Sequence, residues 1–305
     1  MPKNIYIYSP SGAVRDKAAF KRGVRRLQSL GHTVEVDVNA LKSVQRFAGT
    51  DAERVEAIHR AASSGADVAL ISRGGYGLTR ILGDIRYKAV AKAIDKGTRF
   101  VGISDFTAFQ MALFTQTGAH TWAGPALCEG FGADPLPDDI MEDCFSDMLS
   151  GQGEGVGWRQ AGKGIASDAE WRAGNATLWG GNLSMVTSLL GTPYFPDIRG
   201  GILYLEDVAE PPYRVERMLT QLLHAGVLAR QKAVVLGQFT EYRLTPHDRG
   251  FKLPVVADWL RSKLRIPVLT NLPYGHVPTK VLLPFGAKVD AVVQGRDVLL
   301  AWGHQ

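Results

Sequence analysis

The sequence has few cysteines, no long apolar run and little excess charge, and each of these shortages excludes a class of protein. Two cysteines among 305 residues, Cys128 and Cys144, provide neither a disulfide framework nor a cysteine-rich zinc site. No stretch approaches the roughly 18 apolar residues of a membrane span. The formal net charge of +5 is too small to indicate a nucleic-acid-binding surface, which requires clustered basic residues. We therefore expect no nucleic-acid or membrane partner.

Targeting and metal-binding motifs are also missing. The chain contains no CxxC, no HExxH and no cluster of cysteine and histidine, so neither a metal nor another cofactor is predicted. The first residues, MPKNIYIYSPSGAV, have no cationic segment followed by a long apolar run, as a signal peptide would. A cytoplasmic protein is the resulting expectation.

The composition that remains is that of an ordinary globular protein, with 45% hydrophobic and 21% charged residues. Its first third alternates short β-branched strands with amphipathic helices, which predicts an α/β fold with a doubly wound parallel sheet. An acidic, proline-containing segment and then a glycine-rich one indicate a connection between two domains. We place an N-terminal α/β domain at 1–135, a linker at 136–168 and a mixed, β-rich α/β domain at 169–305.

Three loops of the N-terminal domain follow predicted parallel strands: SPSG at 9–12, SRGGYG at 72–77 and GISD at 102–105. Ligands of such sheets bind beyond the carboxyl ends of the strands. In the third loop, Ser104 lies between an apolar strand and a helix, the context of a nucleophile elbow, although Phe106 replaces the second glycine of G-x-S-x-G. Ser104 or Asp105 could instead cap the helix.

The glycines of SRGGYG allow backbone N–H groups to approach a ligand closely, for example as half of an oxyanion hole. A tight turn between a strand and a helix explains the same glycines.

A serine nucleophile requires a base and a carboxylate that orients the base. His276 lies in LPYGHVP, a rigid turn after an apolar strand, and is a candidate base; a bond to the backbone is its alternative role. Glu206 and Asp207 end the apolar strand ILYLED, where a charge is costly unless it is paired. Glu206 could orient the histidine, or either acid could cap the next segment.

Five segments follow one another along the chain: SRGGYG, GISDFTAFQ, LWGGNLSMVTSLLGTPY, GILYLEDVAEPPYRVERMLTQL, and GH followed by a strand and LPFG. In this order the sequence resembles the LD-carboxypeptidase family of serine peptidases, which includes muramoyltetrapeptide carboxypeptidases and microcin C self-immunity proteins. The resemblance covers essentially the whole chain. The segment QRFAGTDAER is particularly similar to the bacterial cytoplasmic muramoyltetrapeptide carboxypeptidases.

The resemblance implies a catalytic triad and an oxyanion hole. By position, the family nucleophile falls on Ser104, its glutamate on Glu206 and its histidine on His276. The oxyanion hole would consist of the backbone N–H groups of Gly75 and Asp105. The serine would come from the N-terminal domain and the other two residues from the C-terminal domain, with the active site in the cleft between them. A homodimer is also implied.

The resemblance further implies the substrate, a muropeptide tetrapeptide that loses its terminal D-alanine during peptidoglycan recycling. Arg73 could bind the terminal carboxylate or be structural, and Trp179 could cover the substrate or pack between the domains. Two other functions stay open: an amidase acting on aminoacyl-nucleotide analogues, and a non-catalytic protein that holds an anion at the glycine loops. Catalysis by Cys128 is disfavoured because no base is adjacent to it in sequence.

Overall fold

The computed structural model describes residues 2–161 and 170–303, and within them it contains thirteen strands and eight α-helices. The strands are β1 (Asn4–Tyr8), β2 (Thr33–Val36), β3 (Val68–Ile71), β4 (Arg99–Gly102), β5 (Thr121–Ala123), β6 (Gly155–Arg159), β7 (Glu170–Asn182), β8 (Ile202–Val208), β9 (Ala233–Thr240), β10 (Val268–Thr270), β11 (Leu283–Phe285), β12 (Lys288–Gln294) and β13 (Asp297–Ala301). The helices are α1 (Lys17–Ser29), α2 (Asp51–Ser63), α3 (Tyr87–Asp95), α4 (Phe106–Thr117), α5 (Asp139–Ser150), α6 (Leu183–Ser188), α7 (Pro212–His224) and α8 (Leu253–Lys263). None of these helices is both long enough and apolar enough to cross a membrane.

The first sheet has the strand order β11-β5-β4-β3-β1-β2 and is parallel except for β11. Both of its faces are covered. Ile5 and Ile7 of β1 pack into one apolar cluster, and Tyr6 and Tyr8 pack into another on the opposite face. Burial on both faces explains why these strands are apolar runs rather than alternating patterns. The predicted doubly wound parallel sheet is confirmed.

The strand order of this sheet reverses between β1 and β3, which lie side by side and start connections that run in opposite directions. The loops at 9–12 and 72–77 leave these two strands at the same edge, and the backbone N–H of Gly12 donates to the carbonyl of Gly74 over 3.2 Å. The edge chosen from the sequence is therefore the topological switch point of the sheet.

The second sheet has the order β10-β9-β8-β7-β12-β13-β6. Its first four strands are parallel and the remainder are antiparallel, so the predicted mixed α/β second half is confirmed. Strand β7 joins the two parts, because its first residues pair with β12 and its last five pair with β8.

Part of the predicted linker is regular structure. Helix α5 begins after Asp138, whose side chain accepts a hydrogen bond from the Met141 N–H. The helix buries Met141 and Phe145 in the apolar cluster that also contains residues of α1. Strand β6 pairs with β13 at the edge of the second sheet. Of the acids that suggested a linker, Asp139, Asp143 and Asp147 lie on the solvent side of this amphipathic helix. Residues 162–168 of the predicted linker, residue 169 and residues 304–305 lie outside the described residues.

Candidate active site

Ser104 lies in a strained turn between β4 and α4. Its φ of +68° is in the left-handed region, which costs a non-glycine residue about 1–3 kcal/mol. The Thr107 N–H donates to the Ser104 carbonyl over 3.0 Å, so the helix starts directly after the turn. The Ser104 hydroxyl is partly exposed, and among the described residues it makes no hydrogen bond, either to His276 or to any other group. This geometry is that of a nucleophile elbow and not of a serine cap.

The side chain of Asp105 does not cap helix α4 either. Its carboxylate accepts hydrogen bonds from the Leu78 N–H, at 2.8 Å, and from the Ser11 hydroxyl. Burial raises the pKa of Asp105, and these two hydrogen bonds oppose the rise. Asp105 thus ties the serine turn to the loops that follow β1 and β3, while its backbone N–H remains at the start of the helix.

The glycine loop packs directly on the serine. A Cβ atom at Gly74 would lie 2.5 Å from the Cβ and 2.7 Å from the Oγ of Ser104, so only glycine fits beside the hydroxyl. Gly75 has a φ of +118°, which also favours glycine. Among the described residues, neither the Gly75 N–H nor the Asp105 N–H has a backbone acceptor. Their role as donors to an oxyanion stays a prediction.

We expect Gly74→Ala to lower kcat/KM at least a hundredfold, because the added methyl group must displace the Ser104 side chain from its position. Gly83→Ala is the matched control, since a Cβ there meets only the Tyr194 hydroxyl, at 3.5 Å. Steady-state kinetics and thermal melts of the two variants check this prediction. Equal activity of both would show that the space beside Ser104 does not matter.

Sequence reasoning missed Arg54, which is 0% exposed and fixes the same loops. Its Nη1 atom donates to the carbonyls of Pro10, at 3.1 Å, and Gly77, at 2.9 Å. The available signal was a charged residue next to Val55 and one helical turn before Ile58, on the apolar side of α2. A buried guanidinium that bonds to two loops holds them at a fixed separation.

Glu206 and His276 form a buried pair in the second half of the chain. The Glu206 side chain is 0% exposed, and its Oε2 lies 2.7 Å from Nδ1 of His276. Strand β8 changes register against β9 between Leu205 and Asp207, and such a bulge redirects the side chain at that position. Burial opposes the charged imidazole, but the charge and hydrogen bond of Glu206 outweigh it and hold the pKa of His276 above its usual value.

The neighbouring acid, Asp207, has a different role. Its Oδ2 accepts hydrogen bonds from the N–H and the hydroxyl of Ser184, at 2.9 and 2.7 Å, in the first turn of α6. Burial raises the pKa of Asp207. Glu206 is thus in contact with His276, and Asp207 bonds to the first turn of α6, the helix that precedes this strand, rather than to the next helix, α7.

Asn182, which was not predicted, connects the serine helix to this pair. Its backbone N–H donates to Oγ1 of Thr107 in α4 over 3.0 Å. Its side-chain amide donates to Glu206 Oε1, at 3.3 Å, and to Asp207 Oδ1, at 2.9 Å. One residue thus fixes the position of the serine helix relative to the glutamate.

The two residues proposed for substrate contact lie in different environments. Arg73 is beside the glycine loop, where its Nε is 3.4 Å from Oε1 of Glu129. Trp179 is 0% exposed, and its indole N–H donates to Gln231 over 3.1 Å. A side chain without exposed surface does not stack on a substrate, so its position corresponds to the packing role. The sequence did not indicate that β7 is buried at Trp179, which is why a substrate contact was predicted for this residue.

Cys128 is a poor nucleophile. It is 8% exposed, and burial raises the pKa of its thiol to about 12, which keeps it protonated at neutral pH. Within residues 2–161 and 170–303, no three side chains of histidine, cysteine, aspartate or glutamate are grouped so that they could hold a metal ion. Of the three residues predicted for the triad, the structure brings Glu206 and His276 into contact.

Comparison with known proteins identifies the family of this chain. Residues 5–124 match the LD-carboxypeptidase N-terminal domain, and residues 175–290 match the LD-carboxypeptidase C-terminal domain. A crystal structure of muramoyltetrapeptide carboxypeptidase from Oxalobacter formigenes superposes with a TM-score of 0.86 at 38% identity, covering 98% of both chains.

Two further proteins extend the comparison. A Bacillus subtilis protein named as a probable murein peptide carboxypeptidase is 31% identical over 275 residues, 86% of this chain and 80% of its own. The microcin C7 self-immunity protein MccF, in complex with aspartyl sulfamoyl adenosine, has the same fold, with a TM-score of 0.85 at 24% identity over 98% of this chain and 95% of its own. The two matched domains span most of the sequence, and the resemblance is confirmed: this chain belongs to the LD-carboxypeptidase family.

Proposed function

We propose that the protein is a serine LD-carboxypeptidase that releases the terminal D-alanine from muropeptide tetrapeptides. The observation that carries the proposal is the buried Glu206–His276 pair, 2.7 Å apart, in the same chain as a strained serine turn with two available N–H donors. A base with an orienting carboxylate, a nucleophile and an oxyanion site are the parts that acyl transfer requires.

In the proposed reaction, the Ser104 hydroxyl attacks the carbonyl carbon of the last peptide bond while His276 Nε2 takes its proton. This step requires the two atoms to approach to about 3 Å in the substrate complex. The N–H groups of Gly75 and Asp105 stabilise the oxyanion, at about 3–4 kcal/mol for each donor. His276 then gives the proton to the departing amine of D-alanine. Water then attacks the acyl-enzyme while His276 takes its proton, and His276 returns that proton to the Ser104 oxygen as the ester bond breaks.

Glu206 keeps the proton of the neutral imidazole on Nδ1, so that Nε2 is free to accept the proton of the serine. It also stabilises the imidazolium that forms during attack. Because the carboxylate is fully buried and held by Asn182, it is fixed before the substrate arrives. Such a fixed carboxylate acts without reorganisation during the reaction.

The substrate class is supported by the relatives. The Oxalobacter structure is named a muramoyltetrapeptide carboxypeptidase and the Bacillus relative a murein peptide carboxypeptidase. We infer that the bond cleaved joins the L-centre of diaminopimelate or lysine to D-alanine. Action in the cytoplasm during peptidoglycan recycling, and a homodimer, belong to the same proposal; light scattering after gel filtration tests the dimer.

Incubation with purified murein tetrapeptide tests the proposal. We expect tripeptide and free D-alanine in equal amounts, measured by mass spectrometry and by a D-alanine assay. A parallel incubation with aspartyl sulfamoyl adenosine, the compound in the MccF complex, tests the amidase alternative. A serine-reactive fluorophosphonate that labels wild type but not Ser104→Ala separates either enzyme from an anion-binding protein.

A further inference from the structure

Lys280 is a largely buried cation close enough to Glu206 to be affected by its charge. It lies four residues after His276, in the loop that leads to β11, and is 3% exposed. In the part of the chain that the structure describes, its ammonium group forms no hydrogen bond and no ion pair. The nitrogen itself keeps some accessible surface. A largely buried ammonium without an acceptor in the protein favours an anionic partner from outside the chain.

Three acids are close enough to affect Lys280 electrostatically: Glu129, Glu206 and Asp138. Each of them already has another hydrogen-bond partner. Glu206 accepts from His276 and Asn182. Asp138 accepts from the Thr279 hydroxyl, at 2.6 Å, and from a backbone N–H of α5, while Glu129 accepts from Arg73. The acids therefore favour a positive charge at Lys280 without using its donors.

The backbone around Lys280 is held in place on both sides. The Thr279 hydroxyl is bonded to Asp138, and the Val281 N–H donates to the Pro273 carbonyl over 2.8 Å. Pro273 and His276 belong to the same rigid turn. The lysine is thus placed at a fixed position relative to the catalytic base, which is the requirement for reading a group next to the reacting bond.

We propose that Lys280 binds the terminal carboxylate of the substrate and thereby makes the enzyme a carboxypeptidase. This inference rests on the proposed function, because it assigns the anion that the scissile D-alanine carries. A carboxylate supplies the acceptor that the buried ammonium lacks. Burial lowers the pKa of Lys280, and a bound anion would counteract that effect.

Arg73, the other cation beside the glycine loop, is less suited to this role. Its guanidinium is already paired with Glu129, and its Nη1 lies against the backbone of Gly12 and Gly75. Arg73 therefore serves as the competing candidate in the experiment, and Lys288→Met, at an exposed lysine that bonds to Thr177, serves as the matched lysine control.

The test compares a tetrapeptide that ends in D-alanine with the same peptide ending in D-alaninamide. For wild type we expect kcat/KM to be about tenfold to a hundredfold higher for the acid, the value of one charge-assisted hydrogen bond. Lys280→Met should bring the ratio close to one, mainly through KM, while Lys280→Arg retains part of it. Lys288→Met should keep the wild-type ratio. Circular dichroism melts verify that each variant is folded.

The outcomes separate this inference from the proposed function. Cleavage of the tetrapeptide with an acid preference that Lys280→Met keeps, or that Arg73→Met abolishes instead, overturns the inference and leaves the function standing. Calorimetric titration of both peptides into Ser104→Ala and into Ser104→Ala/Lys280→Met measures the same preference without turnover. If the acid peptide binds in a Lys280-dependent way but wild type does not cleave it, the inference is supported and the proposed function is refuted. If neither Lys280-dependent binding nor cleavage is observed, the inference and the function are both refuted.

Discussion

Replacement of Ser104 by alanine is expected to reduce the rate of D-alanine release about a millionfold, the cost of removing the nucleophile from a serine peptidase whose other catalytic groups remain. The hydroxyl makes no hydrogen bond among the described residues, so its removal leaves no partner unsatisfied and the fold should be retained. Single-turnover assays with tetrapeptide, together with circular dichroism of the variant, measure both parts. Turnover within tenfold of wild type would exclude Ser104 as the nucleophile.

Ser104→Gly provides a control that depends on the geometry of the turn. At a φ of +68° serine and alanine are both strained, whereas glycine is not. We expect the glycine variant to be as inactive as the alanine variant but to have a free energy of unfolding about 1 kcal/mol higher. Urea denaturation of the two variants gives this difference directly. An equal or lower value would show that the turn stores no strain for the reaction.

The fold was predictable from the sequence where the signal is local. The strands β1, β3 and β4 are short apolar runs between helices, and this alternation is sufficient for a parallel sheet. Strand β11 was not predictable as a member of that sheet. It comes from the far end of the chain and pairs with β5 in the antiparallel sense. A strand of three residues is too short to carry a sequence pattern that would predict this pairing. The segment that forms α5 was assigned to a linker because six acids and two prolines lie between residues 133 and 147.

The candidate site was likewise predictable from the sequence only in part. Local patterns placed Ser104 and His276 in suitable turns but left caps and backbone contacts as alternatives, and only the order of several motifs assigned the triad. The structure shows the Glu206–His276 contact at 2.7 Å and bonds Asp207 to the first turn of α6, while the complete triad stays a prediction. Arg54 and Asn182 act through contacts across the chain, and no sequence spacing indicates such contacts.

Glu206→Gln is expected to lower kcat about 10³- to 10⁴-fold and to shift the pH dependence of the remaining activity. The imidazole acts as a base only when neutral, so kcat/KM rises with pH as His276 loses its proton. In wild type, Glu206 holds the pKa of His276 above its ordinary value of about 6.5, and the rise should be centred above that pH. Without the carboxylate charge, burial dominates and disfavours the imidazolium, so the rise should move to lower pH.

Asp207→Asn is the matched control for this shift, because it removes a carboxylate one residue away that bonds to Ser184 and not to the imidazole. The charge of Asp207 also raises the pKa of His276, but it follows both effects of Glu206 in size. We therefore expect a smaller displacement of the pH profile in Asp207→Asn, little loss of kcat, and reduced stability from the weakened bonds to Ser184 in the first turn of α6. Profiles of kcat/KM from pH 5 to 9 for wild type, Glu206→Gln and Asp207→Asn measure the two displacements. If Asp207→Asn shifts the profile more than Glu206→Gln does, Glu206 is not the residue that sets the basicity of His276.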